Sequence, residues 1–321
     1  MTGATISPEQ VLKELDARWA ELGKEGPGVL RACSMSLLAV CDESDHYASA
    51  LETIALLMPS HPARAIMIRL RRGESLAAHA AAQCWMPFGQ RQQVCSEQIE
   101  ITAAPESLEE VASLVEPIVA PDLPVILWCR SPRLIQSTGF AHLIGCATKL
   151  ILDSAAWAEA KASIRQIAAM AARGRSVADL SWVRLTCWRE VLSQVFENRE
   201  HAARLSDISR IHVKYGAGAE AAALYMGAWL VDALDAVHAR TDLHIEADSG
   251  APAAQIASVE LSGAEFQASF THQAGRLVTN VGAVSHCAGL PPSSDYALLR
   301  EELGVRADPV FERTLASAAR L

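Results

Sequence analysis

The pattern of this chain predicts an α/β N-terminal domain with a mixed sheet, followed by a smaller α+β domain with an antiparallel sheet. Three observations carry that expectation. Up to about residue 175, short apolar runs such as VILWC (125–129) and KLILD (149–153) alternate with amphipathic helical segments, the signature of helices packed on a sheet. Beyond residue 205, one long helical segment is followed by strand-like runs separated by the turn pairs Ser262-Gly263 and Ala274-Gly275. The length of 321 residues, half of them apolar and 20% charged, suits two cores and argues against disorder. The expected division is an α/β domain at 1–175, a connecting helix at 176–205, and an α+β domain at 206–321.

Taken in order, Ser7-Pro8-Glu9 opens a helix with proline in its first turn, carrying the stripe Val11, Leu12, Leu15, Trp19 and Leu22. Gly26-Pro27-Gly28 ends it, and 29–41 reads as one strand. A second helix, 45–58, is stopped by Pro59, and 64–70 alternates as a strand does. Residues 76–86 and 94–102 read as paired strands, 108–119 as a helix, 125–129 as a buried strand after Pro124, and 149–153 as another. Residues 137–145 are helix or loop, and 156–171 are helical. The second domain reads as strand 208–215, helix 217–239, and strands 242–247, 256–261, 265–272 and 276–282, with short helices from Asp295 onward.

The formal charge is −9 and the densest basic cluster is only Arg69, Arg71 and Arg72. Nucleic-acid binding is disfavoured, because phosphate neutralisation needs a concentrated basic surface. The first residues lack a positive start followed by an apolar stretch, so no signal peptide is expected, and no run of eighteen apolar residues suggests a membrane span. Eight cysteines are scattered singly, which suggests reduced, buried thiols and a cytoplasmic protein. No CxxC or His/Cys spacing suggests a metal, and no cofactor is expected.

Residues 179–196, DLSWVRLTCWREVLSQVF, read as one helix capped by Asp179 or Ser176 that breaks the rule for a helix. Leu180, Leu185, Cys187, Trp188, Val191, Leu192, Val195 and Phe196 spread over one apolar face, and Arg184 projects into its middle. A guanidinium there needs a carboxylate, since an unpaired buried charge costs several kcal/mol. One reading is a structural ion pair, with Asp153 as the candidate partner across the domain boundary. The other is that Trp182, Arg184 and Arg189 face another protein, as Trp and Arg do at interface hot spots.

This stretch resembles the signature of the glucose-6-phosphate dehydrogenase assembly (OpcA) family. The similarity continues through RACSMSLLAV (31–40), HPARAI (61–66), CSEQIEI (95–101), PDLPVILWCRSP (121–132) and LILDSA (150–155), in the same order. Beyond residue 230 it rests on pattern and length. The resemblance implies a non-catalytic subunit that binds glucose-6-phosphate dehydrogenase and supports its assembly or active oligomer, in the oxidative pentose phosphate pathway.

Other candidates are read from the residues. His61 and Arg64 lie in a loop before a strand, and Arg64 with Arg69, Arg71 and Arg72 could hold a sugar phosphate; alternatively they shape a turn and are solvated. Asp153 ends a strand, where open α/β sheets place ligand contacts, yet it also suits a helix cap. GlyAlaGlyAlaGlu (216–220) lacks the third glycine of a dinucleotide loop, and Glu220 would repel a pyrophosphate, so a turn is expected. Cys95 reads as a buried strand residue, and no basic partner can be assigned to Glu97 from sequence. GxSxG, HExxH and Walker patterns are missing from the sequence. Two functional readings follow: a regulatory subunit that docks on the dehydrogenase, or a sugar-phosphate enzyme or sensor using His61, Arg64 and Asp153. Docking could use Trp182, Arg184 and Arg189, or a sheet edge near 256–282.

Overall fold

A computed structural model describes residues 6–25, 29–86 and 93–321; the expected break at Gly26-Pro27-Gly28 lies outside them. Contacts divide the chain into two units, 1–152 with 175–178, and 153–174 with 179–321. By contacts the second unit begins at Asp153 and resumes at Asp179, beside the division at 175 and 205 expected from the sequence. The second unit also takes in 153–174, so it is not the smaller of the two, and from Asp179 on the expected connecting helix belongs to it.

The first unit holds eight strands: β1 (Val29–Arg31), β2 (Met35–Cys41), β3 (Ala63–Leu70), β4 (Ala77–Trp85), β5 (Gln93–Ala103), β6 (Val125–Cys129), β7 (Lys149–Leu152) and β8 (Val177–Asp179). Their order is β1-β5-β3-β2-β6-β7-β8, with β4 antiparallel on β5 and the other registered pairs parallel. Strands β2 and β6 are buried throughout, which is why they read as unbroken apolar runs. The single strand expected at 29–41 is two. Ala32 N–H donates to Cys95 O and Ser34 N–H to Pro62 O, so the chain steps past β5 and β3 before β2 begins.

The second unit holds β9 (Ile208–Tyr215), β10 (Asp242–Ala247), β11 (Ile256–Gly263), β12 (Gln267–Gln273), β13 (Arg276–Val281) and β14 (Val284–Gly289). Their order is β10-β9-β11-β12-β13-β14, antiparallel except for the parallel pair β10–β9. The expected all-antiparallel sheet is thus a mixed one, because the helix Glu220–Asp235 carries the chain from β9 over to a parallel neighbour. That helix covers one face: a Cβ on Gly227 would stand 2.9 Å from Leu243 Cδ1 and 3.2 Å from Ile245 Cδ1. Residues 256–281 form inner strands, so the sheet edges are β10 and β14, not the region proposed from sequence. Among the described residues, no helix is long and apolar enough to cross a membrane.

The helix expected over 179–196 breaks. Leu180–Val183 and Thr186–Val195 are separate helices, with Arg184 and Leu185 between them at ψ −20 and −2.

Candidate functional site

The parallel sheet of the first unit offers the place where open α/β sheets bind ligands. The chain runs from β2 outward to β3 and β5 on one side, then returns to β6 and β7 on the other, so its order reverses between β2 and β6. The loop leaving β2 is Asp42-Glu43-Ser44-Asp45-His46, without a glycine and with three carboxylates. Asp42 accepts from Ser44 N–H (2.8 Å) and from the Ser131 hydroxyl beyond β6, and Asp45 accepts from Arg130 Nε (2.9 Å). Burial raises the Asp42 pKa, but the hydrogen bonds from Ser131 and Ser44 outweigh it and leave it below the ordinary value. A cavity of about 710 Å³ opens beside this loop, lined by Asp42, Glu43, Asp45, Arg69, Arg71 and Arg72 among others. Tyr47 sits under Arg69, 5.0 Å from ring centre to guanidinium, and donates its hydroxyl to Glu100 at 2.8 Å. At the reversal point Asp42, Asp45 and Tyr47 are therefore engaged by the chain's own side chains, beside the open cavity.

Arg64 does not join Arg69, Arg71 and Arg72. It stands near the start of β3 and they stand at its end, so one anion cannot meet all four. Arg64 is 7% exposed; its Nε lies 2.5 Å from Glu97 Oε2 and its Nη1 donates to Ile118 O at 2.6 Å. Glu97 also takes Trp19 Nε1–H at 2.9 Å and pairs with Arg31. The basic partner that sequence could not assign to Glu97 is Arg64, its level neighbour on the adjacent parallel strand. His61 precedes β3, with its Nδ1 3.0 Å from Ser60 Oγ.

The DLSWVR stretch, with Asp153, lies in the second unit. Arg184 forks onto Asp153, Nη1 to Oδ1 at 2.7 Å and Nη2 to Oδ2 at 2.6 Å. Both residues belong to that unit, so the pair does not span the boundary. Asp153 also caps the turn that follows by accepting from Ala155 N–H. Asp179 is fully buried and receives Ser154 N–H (3.0 Å), Ser181 N–H (2.9 Å) and the Tyr225 hydroxyl (2.8 Å). Burial first, and the neighbouring Asp153 second, raise the Asp179 pKa; the hydrogen bonds oppose this without cancelling it. Burial likewise pushes the Tyr225 phenol well up.

Trp182, expected at an interface, is 2% exposed. Its ring packs against Tyr225 and Phe311, at 6.2 and 5.9 Å between centres, and its Nε1–H donates to Asp308 at 2.8 Å. Arg189 lies over the same ring at 3.7 Å and donates to Thr186 Oγ1. The indole is therefore core, with the half-buried Arg189 stacked on it. The partners Tyr225, Phe311 and Asp308 had no local sequence signal, since they come from distant helices.

Two further expectations change or sharpen. Cys84 and Cys95 face each other across β4 and β5 and are joined by a disulfide, so the thiols are not all reduced; Cys41 and Cys129 are buried and free. Burial pushes the Cys41 thiol up to about 12. In GlyAlaGlyAlaGlu, Gly216 carries no side chain because a Cβ would stand 2.0 Å from Pro252 O, and Gly218 takes a φ of +80. These glycines serve a tight turn before the helix, not a phosphate.

Two family models match the chain in succession, parting between residues 169 and 175. The family model described as the glucose-6-phosphate dehydrogenase subunit N-terminal domain matches residues 55–169, and that for the C-terminal domain matches residues 175–315. The OxPP cycle protein OpcA of Synechocystis sp. is 24% identical over 178 residues, covering 54% of this chain and 38% of that protein. Its counterpart in Nostoc punctiforme matches to the same extent, 24% over 178 residues, 54% of this chain and 38% of the relative. The chain thus spans well under half the length of the curated relatives it matches. Among solved structures, a dehydrogenase from Chromobacterium violaceum is 8% identical with a TM-score of 0.48, over 92% of this chain and 93% of that one. Matched in turn by both domain models over most of its length, the chain belongs to the OpcA family of glucose-6-phosphate dehydrogenase subunits.

Proposed function

We propose that this chain is a non-catalytic subunit that binds glucose-6-phosphate dehydrogenase and supports its active oligomer in the oxidative pentose phosphate pathway. The single observation that carries the reading is the match of both halves of the chain, in order, to the two domains of a glucose-6-phosphate dehydrogenase subunit. The sheet supports it as well. A dinucleotide loop needs glycines and free backbone N–H groups facing a pyrophosphate. This chain has Asp42, Glu43 and Asp45 there, with Asp42 and Asp45 engaged by Ser131 and Arg130. The reading places the protein in the cytoplasm beside its dehydrogenase, with no cofactor of its own.

The competing reading, a sugar-phosphate enzyme or sensor using His61, Arg64 and Asp153, is weaker. Arg64 has its charge committed to Glu97 and Asp153 has its own committed to Arg184. A tagged copy expressed in its native host is expected to retain the dehydrogenase through purification, and adding the pure chain to pure dehydrogenase should raise oligomer mass in light scattering together with NADP⁺ reduction. Turnover of a sugar phosphate by the isolated chain, with the dehydrogenase unaffected by its addition, would overturn the proposal.

A further inference from the structure

We propose that His212, His244 and Glu246 form a binding site for one divalent ion of the zinc class on the sheet of the second unit. The parallel pairing of β9 and β10 sets His244 level with His212 and Glu246 level with Lys214. Leu243 and Ile245 turn toward Gly227 of the covering helix, so His244 and Glu246, which alternate with them, turn to the opposite face. Ile211 and Val213 are buried, which places His212 on that same outer face. No motif announces the site, because its ligands come from two strands separated by a helix.

The geometry suits a small cation. The two imidazole rings stand 4.9 Å apart between centres, and His212 Nε2 lies 3.0 Å from Glu246 Oε2. One ligand atom from each of the three residues falls within 4.8 Å of the others. Zinc–ligand bonds of about 2.0–2.2 Å put tetrahedral ligand atoms roughly 3.3–3.6 Å apart. Rotation about the side-chain torsions of these half-buried and exposed residues covers the difference. Two imidazoles and a carboxylate favour zinc, cobalt, nickel or copper over magnesium and calcium. They also leave a fourth position, open to water or to Glu260, the exposed residue level with His212 on β11.

Lys214 gives the site a competitor: its Nζ lies 4.0 Å from the same Glu246 oxygen that faces His212. A metal must take over Glu246 from that ammonium and from the imidazole hydrogen bond. Once bound, it would join β9 to β10, the outermost strand, through side chains as well as backbone.

The test uses the full chain, free of any tag and stripped by chelation, titrated with zinc by calorimetry and followed by thermal unfolding; cobalt is the visible-absorption probe. One equivalent of zinc should bind and raise Tm, and magnesium should do neither. His244→Ala should weaken zinc binding at least tenfold, since even outer partners of metal ligands are worth about that much. Glu246→Gln should weaken it too, while Lys214→Met should tighten it. If His212→Ala impairs folding, as judged by circular dichroism, the other three variants decide. No binding by the native chain, or zinc affinity unchanged in His244→Ala and Lys214→Met, would overturn the site and leave a hydrogen-bonded surface cluster.

Discussion

Arg184 meets Asp153 with two parallel contacts of 2.7 and 2.6 Å, and Asp153 is the first residue of the second unit after β7. Asp179, the last residue of β8 and the point where the chain re-enters that unit, accepts a hydrogen bond from the backbone N–H of Ser154, next to Asp153. The two segments that enter the unit are thereby tied to each other by carboxylates. Both side chains of the ion pair are about one-fifth exposed, so removing one partner is expected to cost about 2–3 kcal/mol, below the range for a fully buried pair. Arg184→Met combined with Asp153→Asn should cost less than the two singly added, with a coupling above about 1 kcal/mol in urea unfolding. Additive losses would mean that the fork contributes nothing.

Trp182 makes a second expectation concrete. Asp308 accepts from its indole N–H through one oxygen and, through the other, caps the helix Pro309–Ala318 by accepting from Val310 and Phe311 N–H. Trp182→Ala should therefore cost about 3–5 kcal/mol, the range for emptying a large aromatic from a core. Trp182→Phe should cost about 1–2 kcal/mol, mostly the lost hydrogen bond. Any loss of dehydrogenase binding in Trp182→Ala should track unfolding measured on the same sample. Weakened binding at unchanged stability would return Trp182 to the surface role first read for it.

Legibility in the sequence followed the range of the forces. Strands 125–129, 208–215 and 242–247 could be read to the residue, because their apolar runs and alternation are local properties. The need of Arg184 for a carboxylate was also legible, from the cost of an unpaired charge on an apolar face. The break at Arg184–Leu185 was not, since Leu180 to Phe196 keep helical spacing throughout. Trp182 was read as an exposed anchor because Tyr225, Phe311 and Asp308 lie 40 or more positions on. For Cys84 and Cys95, both strands were in view but not their register, and only register places the two residues opposite each other. Arg64 and Glu97 failed to pair on paper for the same reason.

The raised pKa of Asp179 gives a pH dependence with a defined sign. A carboxyl whose folded pKa lies above its unfolded value of 3.8 holds more protons folded than unfolded between those two values. Its contribution is then fully present below pH 3.8 and is lost as pH rises through the folded pKa. Asp179→Asn keeps an oxygen for Ser154 and Ser181 N–H and offers its amide to the Tyr225 oxygen, while removing the charge. Unfolding free energies measured from pH 3.5 upward should therefore show the variant gaining on the native chain as pH rises. A constant difference across the range would show that Asp179 titrates alike in both states.

The acidic crevice at the β2–β6 reversal yields an expectation about ligands. A dinucleotide phosphate placed there would meet Asp42, Glu43 and Asp45 with no glycine turn to present backbone N–H groups, and like charges at such range are unfavourable. A phosphate there would also compete with the Asp42–Ser131 and Asp45–Arg130 contacts. Ligand at a hundred times its Kd would stabilise the chain by about 2.7 kcal/mol, a readily measured rise in Tm. NADP⁺ at about 1 mM should leave Tm unchanged, which places any affinity well above that concentration. A saturable rise in Tm, abolished by substitution at Arg69 or Arg72 across the cavity, would show instead that the basic wall outweighs the acidic loop and that the reversal point still takes a phosphate.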